Sequence, residues 1–353
     1  MRIAVAGAGA MGASIAYHLA LDGRADVVLA ERATVAAGAS GKAMGGIRQQ
    51  FSTEAEVLLA RESIRFFEEL GPPFFDQVGY LFLAVTDAEL ATLTERGEVQ
   101  RGLGVPVETL DADDVAALVP GLAVDDVLGA TFCATDGTAD PGAVTRELVG
   151  RAVGLGVELR ERTAVADVDA DVVVLACGAH SAEAAAGFGI DLPVRPLARQ
   201  LLSTTPVSDL PARLPMVVEA ETGFHFRRRE DALVLAMPDR EPRWGTEESV
   251  DESVYGDRLA RLHRRFPPAE GVSIAAGWAG LYDMTPDAHP IIGQIGGGVY
   301  AASGFSGHGF MQSPAVGRAV AQELLAGHAD LDLTPYRLER FAGDAVFSEE
   351  LVL

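Results

Sequence analysis

The N-terminal residues place a glycine-rich turn between an apolar strand and a helix. Residues 2–6 are apolar enough for a buried strand, and the residues after the turn continue with helical spacing. The turn consists of Gly7, Ala8, Gly9, Ala10, Met11 and Gly12. A second strand, residues 27–30, ends at Glu31. Strand, glycine turn, helix and strand in this order predict an α/β chain whose first unit binds a dinucleotide.

Each part of this pattern has a physical role in holding a pyrophosphate. Gly7 permits a tight turn, Gly9 lets the pyrophosphate approach the backbone, and Gly12 lets the helix pack close to the strand. The helix N-terminus then offers free N–H groups and a partial positive charge. Glu31 is placed to accept hydrogen bonds from a ribose diol and disfavours the 2′-phosphate of NADP. The pattern leaves NAD and FAD open, with a merely tight turn as the structural alternative.

The composition indicates a globular chain of about two domains. The sequence has 353 residues, of which 48% are hydrophobic, enough to bury a large core. Its 28 basic and 51 acidic residues leave a net charge of −23, which repels phosphate backbones and anionic lipid. We therefore expect no nucleic-acid partner and no membrane-surface partner. We also expect a cytoplasmic protein, because neither a membrane span nor a secretory signal is visible in the sequence.

Lysine and cysteine are scarce, which limits the available chemistry. Lys42 is the only lysine, so any mechanism that needs a lysine must use it. Cys133 and Cys177 lie in separate apolar stretches that are typical of strands. We expect both to be core thiols that form neither a disulfide framework nor a metal site. No metal-binding site is predicted.

A second small-residue loop, residues 39–48, follows the ribose acid. Its glycines allow the backbone to approach a large flat group. With this loop the chain resembles the D-amino acid oxidase superfamily of FAD-dependent oxidoreductases, in particular sarcosine oxidase β subunits, glycine oxidase and the β subunits of amino-acid dehydrogenases. The resemblance implies that the loop crosses the pyrophosphate and the ring of FAD. It also implies that Glu31 and Arg32 contact the ribose and adenine.

Two segments in the middle of the chain resemble the same family. Asp140 and Pro141 suit the start of a helix over residues 142–153, and we assign this segment to the fold. Residues 170–180 read as a buried strand that ends in small residues, with another strand expected around 163–165. In the family both strands pass close to the cofactor.

The strongest resemblance is near the C-terminus. Residues 278–293 carry the pattern Trp-x-Gly-x4-Thr-Pro-Asp-x2-Pro-x-Ile-Gly. A strand at 299–302, a glycine-rich turn at 304–311 and a helix from 313 to about 325 follow it. Free N–H groups in such a turn can stabilise negative charge on a reduced flavin.

The resemblance implies an α/β fold in which two units interleave along the chain. One is a discontinuous Rossmann-like FAD-binding domain, and the other is an inserted mixed-sheet α+β substrate domain. We predict that residues 1–80, 130–180 and 290–353 form the FAD-binding domain. Residues 81–129 and 181–289 then form the substrate domain, whose strands show alternating patterns.

The resemblance also assigns the flavin contacts. The residues predicted to bind FAD are Gly7, Ala8, Gly9, Ala10, Met11, Gly12, Glu31, Arg32, Ser40, Lys42, Gly45, Gly46, Val165, Ala176, Gly178, Gly304, Gly307, His308, Gly309, Phe310 and Met311. Gly280 stands where sarcosine oxidase has the cysteine that bonds to FAD, and the first flavin loop has no histidine. We therefore expect FAD to be held noncovalently.

Four side chains are predicted to face the substrate, namely Arg48, His225, Arg227 and Tyr282. The planar fork of Arg48 suits a carboxylate, although packing on the flavin or pairing with an acid explains it equally well. His225 and Arg227 are two apart on one strand and share a face, either towards the pocket or on a polar outer surface. Tyr282 stands where D-amino-acid and glycine oxidases place their carboxylate-binding arginine.

The resemblance implies oxidation of a C–N bond in an amino acid or a secondary amine. The flavin N5 accepts a hydride from the carbon beside nitrogen, and the resulting imine hydrolyses. Val234 and Met311 stand at the family's oxygen-activating and carboxylate-binding lysines, which weakens the assignment as an oxidase. The electron acceptor is O2 or another redox protein. The alternatives are an electron-transferring β-type subunit of a larger complex, inactive alone, and a nicotinamide enzyme.

Overall fold

The N-terminal unit forms because two apolar strands flank a helix that begins at the glycine turn. A computed structural model describes residues 1–342, 349, 352 and 353. In it, β1 (Arg2–Ala6) and β2 (Asp26–Glu31) pair in parallel. The helix α1 (Ala10–Asp22) starts directly after the turn and is closed by Gly23, whose φ of 75° is left-handed. The predicted strand–turn–helix–strand order is confirmed.

The other helices and strands follow in chain order. Their bounds are β3 (Gly46–Ile47), α2 (Glu54–Leu70), β4 (Phe75–Asp76), β5 (Tyr80–Ala84), α3 (Asp87–Gly102), β6 (Val107–Leu110), α4 (Ala112–Leu118), β7 (Gly129–Cys133), β8 (Gly137–Ala139), α5 (Pro141–Gly154), β9 (Glu158–Glu161), β10 (Val172–Leu175), α6 (Ser181–Ala186), β11 (Arg195–Thr204), β12 (Met216–Glu219), β13 (His225–Arg229), β14 (Ala232–Ala236), β15 (Arg243–Trp244), α7 (Tyr255–Arg265), β16 (Ile274–Met284), β17 (Ile291–Gly296), β18 (Val299–Ser303) and α8 (Gly309–Ala326).

The first sheet has the order β17-β18-β10-β1-β2-β9. Its strands are parallel except β17, which returns antiparallel to β18. The helix α1 packs against both α5 and α8 and covers the apolar side of this sheet. Because the parallel strands end at one edge, the turns after β1, β2 and β10 meet there.

The second sheet is mixed and follows the order β15-β11-β14-β13-β12-β5-β7-β6, with β16 paired to β11. β16 runs antiparallel to β11 along nearly its whole length. One face of the sheet packs on a separate hydrophobic core that includes residues of α4 and α7. A short sheet of β3, β8 and β4 links the two larger sheets. The predicted α/β architecture with a second, mixed sheet is confirmed.

The expected strand around 163–165 is not a strand. β9 ends at Glu161, and Val165–Asp167 form a 3-10 turn. The physical reason is Arg162, whose φ of 53° breaks the extended backbone. The division into domains remains a prediction. β7 crosses the boundary expected between residues 129 and 130, and it pairs with β5 along its length.

The last helix begins four residues earlier than the sequence predicts. α8 starts at Gly309 and contains Pro314 in its second turn, where proline removes a backbone donor. The hydroxyl of Ser313 donates to the Phe310 carbonyl at 2.9 Å, which supplies the hydrogen bond that proline cannot make. The helix therefore continues through the proline. Cys133 and Cys177 are free thiols, as expected.

The contact between α1 and α8 gives a test of the packing. At Gly317 of α8, a Cβ atom would lie 2.2 Å from the Ser14 hydroxyl oxygen and 2.7 Å from the Ser14 carbonyl carbon. We expect Gly317→Ala to lower the free energy of unfolding by about 1–3 kcal/mol or more, because backbone must move to admit the methyl group. Denaturant unfolding of the purified protein measures this change.

Gly150 of α5 is the matched control, because it is also helical and nothing lies within 4 Å of the position of its Cβ. We expect Gly150→Ala to be neutral or to stabilise the protein by up to about 1 kcal/mol. Equal losses of stability in both variants would contradict the close packing of α1 on α8.

Candidate functional site

A cavity of about 710 Å³ opens where the parallel strands of the first sheet end. Its lining includes the ends of β1 and β2, the turn after β10, and parts of β11 and β16 from the second sheet. A crevice outside the carboxyl ends of parallel strands is the usual ligand site of such sheets. The volume lies in the range of about 300–1,000 Å³ that small-molecule and cofactor sites occupy.

Most residues that the sequence assigns to FAD line this cavity. The exceptions are Ala8, Gly12 and Gly304. Ala8 is buried in the core, and a Cβ at Gly12 would lie 1.8 Å from the Gly7 carbonyl oxygen. A Cβ at Gly304 would lie 2.4 Å from Thr285. These three residues thus shape the packing behind the cavity wall.

Gly9 differs from its two neighbouring glycines because no backbone atom lies against the position of its Cβ. A Cβ at Gly7, whose φ is 100°, would lie 2.4 Å from the Ala176 carbonyl oxygen. At Gly9 the nearest atom to a Cβ would be the Ser40 hydroxyl oxygen, at 3.2 Å. A side chain at Gly9 would therefore enter the cavity while leaving the backbone in place. This cradle at the start of α1 fits the approach of a pyrophosphate.

The Glu31 carboxylate and the Ser40 hydroxyl organise the backbone around the first turn. Glu31 accepts hydrogen bonds from the Ala8 N–H at 2.8 Å and the Ala33 N–H at 2.7 Å. Ser40 accepts the N–H of Ala10, in the first turn of α1, at 2.9 Å. Both side chains line the cavity, where they fit a ribose hydroxyl and a phosphate respectively.

Two ion pairs lie at the cavity wall. Arg32 pairs with Glu183 at 3.7 Å, and both side chains are largely exposed. Lys42 pairs with Glu248, and its carbonyl accepts a hydrogen bond from the Trp278 indole at 2.8 Å. The only lysine of the chain is therefore paired with an acid from the segment between β15 and α7.

Arg227 fixes the small-residue loop of residues 39–48 from outside the main cavity. Its guanidinium donates to the carbonyl oxygen of Met44 at 2.6 Å and to that of Ala139 at 3.4 Å. Gly45 follows Met44 with a φ of 82°, and a Cβ there would lie 2.2 Å from the same Ala139 oxygen. Burial lowers the pKa of Arg227 to about 10. Although predicted to face the substrate, Arg227 does not line the main cavity, because its long side chain reaches this loop.

A half-buried carboxylate that the sequence analysis missed holds the last glycine turn. Asp283 accepts the N–H groups of Gly304 at 2.8 Å and Phe305 at 3.1 Å, and burial raises the pKa of Asp283 to about 6. Gly307, with a φ of 97°, packs on Tyr282, because a Cβ there would lie 2.4 Å from the ring. The only signal in the sequence was the position of Asp283 beside Tyr282 in the C-terminal pattern.

Arg48 lines the cavity, but its guanidinium is engaged with the protein. The side chain is 2% exposed and lies 4.0 Å over the Phe51 ring. It donates to the Gln50 carbonyl and approaches Nε2 of His308 at 3.4 Å. Arg48 therefore borders the cavity, and its local partners hold the side chain in place.

His225 lies at the cavity with one ring nitrogen bound to the backbone. Its Nδ1 lies 2.8 Å from the Gly223 carbonyl, which can only accept, so Nδ1 carries the hydrogen and Nε2 has the lone pair. Burial lowers the pKa of His225 to about 4, and the charges of Arg48 and Arg199 add to this. The imidazole is therefore neutral at pH 7. His225 lines the cavity together with Tyr282.

Tyr282 and Arg199 stand beside each other at this end of the cavity. The Tyr282 hydroxyl donates to the Leu353 carbonyl at 2.8 Å, and burial raises the pKa of Tyr282. The Arg199 guanidinium lies 5.6 Å from the Tyr282 ring centre. The sequence analysis missed Arg199, because only the pairing of β11 with β16 brings it to Tyr282.

Among the described residues, no cluster of three or more His, Cys, Asp or Glu side chains could hold a metal ion. Within the same part of the chain, no helix combines the length and the apolar character needed to cross a membrane.

Comparisons with known proteins agree with this geometry. The model of a family described as FAD-dependent oxidoreductase matches residues 2–323. 4-Methylaminobutanoate oxidase (formaldehyde-forming) of Paenarthrobacter nicotinovorans is 27% identical over 97% of the chain, which spans 46% of that protein. Glycine oxidase of Geobacillus kaustophilus is 27% identical over 97% of both proteins.

Two solved structures are also similar to this chain over nearly its whole length. L-proline dehydrogenase from P. horikoshii superposes with a TM-score of 0.89 at 28% identity and covers 97% of both chains. Glycine oxidase from Geobacillus kaustophilus has a TM-score of 0.86 at 25% identity, covering 96% of this chain and 99% of the other.

The open side of Gly9 gives a test of the dinucleotide cradle. We expect Gly9→Ala to weaken FAD binding at least tenfold, about 1.4 kcal/mol, because the methyl group enters the space that a pyrophosphate needs. Titration of the apoprotein with FAD, followed by flavin fluorescence, measures the dissociation constant. Gly256→Ala in α7, where nothing lies within 4 Å of the added atom, is the control and should bind FAD as before. Unchanged binding by the Gly9 variant would contradict the cradle.

The neutral state of His225 gives a pH prediction. A histidine whose folded pKa is lowered from 6.5 to about 4 stabilises the fold above pH 6.5 and loses that contribution as the pH falls towards 4. We expect the stability advantage of the natural protein over His225→Gln to shrink by about 3 kcal/mol between pH 7 and pH 4. Paired denaturant titrations at several pH values measure this difference. A constant difference would show that His225 titrates normally.

Proposed function

The chain belongs to the family of FAD-dependent oxidoreductases, and from this premise we propose that it oxidises the C–N bond of an amino acid or a secondary amine. One observation carries the proposal: Arg48, His225 and Tyr282 converge on the same cavity as the dinucleotide cradle. The names of similar proteins support this proposal, since they refer to glycine, L-proline and 4-methylaminobutanoate.

The cofactor of this family is FAD, and the residues of the cavity fit it. The cradle at Gly9 and the N-terminus of α1 suit the pyrophosphate, and Glu31 suits the ribose. The turn held by Asp283 lies at the other end of the cavity, where it suits the flavin ring. When bound, FAD supplies a ring that takes up two electrons and a proton as a hydride.

The residues around the substrate position favour a neutral amine. The guanidinium groups of Arg48 and Arg199 line the part of the cavity around His225 and disfavour a further positive charge there. The neutral His225 offers Nε2 as an acceptor for an N–H group of the substrate. The nitrogen lone pair of a neutral amine is free to form the C=N bond as the neighbouring C–H bond breaks. Water hydrolyses the resulting imine in a separate, later step.

We further propose that FAD is held noncovalently. Gly280 has no side chain to bond to the flavin, and the Lys42 side chain passes 3.2 Å from the position of its Cβ. Acid precipitation of the purified holoprotein should leave a colourless pellet and a yellow supernatant. A pellet that retains the flavin colour after washing would overturn this part of the proposal.

A second candidate function is that of an electron-transferring subunit that passes electrons to another redox protein. The observation that favours it is the engagement of Lys42 with Glu248, because no other lysine exists to stabilise developing superoxide. Under this hypothesis the reduced flavin reacts slowly with O2, and the chain works fully only with its partner.

One experiment tests the substrate class and the acceptor. The holoprotein is mixed without oxygen with sarcosine, L-proline, glycine and 4-methylaminobutanoate, and the flavin absorbance near 450 nm is recorded, roughly where oxidised flavins absorb. We expect at least one compound to bleach the flavin. Air is then admitted, and slow reoxidation favours the second candidate over an oxidase. A preparation that none of these amines or related secondary amines reduces would exclude amine oxidation by this chain alone.

A further inference from the structure

Leu353 lies at the end of the cavity that Tyr282 lines. Both residues line the cavity, and the Tyr282 hydroxyl donates to the Leu353 carbonyl at 2.8 Å. The Leu353 side chain is half-buried and packs against an apolar cluster that includes Tyr80 of β5 and Met216 of β12. Backbone and side chain of Leu353 are thus both in contact with the second sheet, and the residue forms part of the wall at this end of the cavity.

Glu349 anchors the chain four residues before Leu353. It is buried, its carboxylate accepts the N–H of Ser52 at 3.1 Å, and its own N–H donates to the Asp287 carbonyl at 3.1 Å. Four residues span at most about 14 Å, so a chain fixed at Glu349 can place Leu353 only within that distance. The contact at Ser52 and the contact at Tyr282 therefore restrict the position of Leu353 from both sides.

Leu353 lies beside the residues that the proposed function assigns to the substrate. A Cβ at Gly223 would lie 3.9 Å from Cδ2 of Leu353, and the carbonyl of Gly223 holds Nδ1 of His225. The Tyr282 ring in turn packs against Gly307, where a Cβ would lie 2.4 Å from the ring, in the turn that suits the flavin. Because His225 is proposed to meet the substrate nitrogen, the group carried on that nitrogen is close to Leu353.

The wall at Leu353 selects ligands by volume. The single hydrogen of the Tyr282 hydroxyl is given to the Leu353 carbonyl, so this hydroxyl does not donate to a ligand at the same time. A leucine side chain makes no hydrogen bond and discriminates between ligands only by shape and size. The cavity of about 710 Å³ has to hold both the cofactor and the substrate, so a residue in its wall limits what fits at the substrate end.

We infer that Leu353 is a specificity-determining residue that limits the size of the group on the substrate nitrogen, and that Tyr282 is the positioning residue that holds it in the wall. This size limit rests on the proposed function. A methyl group fits beside Leu353, whereas a longer alkyl group meets its side chain. A single methylene group in a hydrophobic pocket changes discrimination by about 10–200-fold, so one leucine suffices to set the limit.

The kinetic test uses N-alkylglycines that differ only in the length of the alkyl group. Anaerobic reduction of the flavin is measured with sarcosine, N-ethylglycine and N-butylglycine. We expect the natural protein to react at least about tenfold less efficiently with N-butylglycine than with sarcosine. In Leu353→Ala the two compounds should differ less than about threefold, because the shorter side chain leaves room for the butyl group. Where this variant does not take up FAD, Leu353→Val is measured in its place.

Val352 supplies the matched control next to the site. It is half-buried like Leu353, but it does not line the cavity. We expect Val352→Ala to keep the natural preference for sarcosine. Leu353→Met conserves the volume of the side chain and should keep this preference as well.

The role of Tyr282 is tested by coupling. Tyr282→Phe removes the hydrogen bond to Leu353, and we expect it to relax the size limit in part. Deletion of residues 352 and 353 should relax the limit fully, and Tyr282→Phe should add nothing in the protein that carries this deletion. Equal effects of Tyr282→Phe with and without the deletion would show that the tyrosine acts independently of Leu353.

A measurement without turnover separates the wall from the proposed function. Acrylamide is added to the oxidised holoprotein, and the quenching of flavin fluorescence is recorded. We expect Leu353→Ala to raise the quenching constant at least about twofold, because it opens a site that buries most of its ligand, and Val352→Ala to leave the constant unchanged.

The outcomes of these experiments are distinct. If no amine reduces the flavin but quenching rises in Leu353→Ala alone, the proposed function fails and the wall at Leu353 stands. If the natural protein reacts equally well with sarcosine and N-butylglycine, if Leu353→Ala keeps the natural preference, or if Val352→Ala relaxes it to the same extent, the inference is wrong. It is also wrong if no amine reacts and quenching stays unchanged in Leu353→Ala.

Discussion

The Asp283 carboxylate connects the two sheets at the wall of the cavity. It belongs to β16 of the second sheet, and it accepts the N–H groups of Gly304 and Phe305 after the last parallel strand of the first. Burial raises its pKa to about 6, so the fold disfavours its charged form, while the two N–H groups favour it. The turn that suits the flavin and the strand that carries Tyr282 are thus held by one group.

Two guanidinium groups lie close to His225 in the cavity, although the protein as a whole is strongly acidic. A net charge of −23 governs long-range attraction and repulsion at the surface. Within the cavity, burial lowers the pKa of His225, and the charges of Arg48 and Arg199 lower it further. The acidity of the surface therefore does not exclude an anionic ligand, because short-range contacts with little water between them outweigh the screened field of distant surface groups.

The placement of His225 and Arg227 shows what the alternation of side chains along a strand predicts and what it does not. The two residues share a face of β13, as their spacing predicts. Only His225 lines the cavity, because Arg227 is long enough to reach the carbonyl oxygens of Met44 and Ala139. Alternation predicts the face of a side chain, whereas its length and the nearest acceptors decide what it contacts.

The sequence by itself determined the dinucleotide turn, the α/β class and the flavin segments, because each depends on local backbone requirements that glycines, caps and apolar strands satisfy within a few residues. Only the tertiary structure decided which side chains meet in the cavity. Arg199 and Tyr282 are 83 positions apart and become neighbours through the pairing of β11 with β16. The register of two distant strands leaves no signature in either segment alone, and for this reason the grouping of these side chains in the cavity emerged only from the fold.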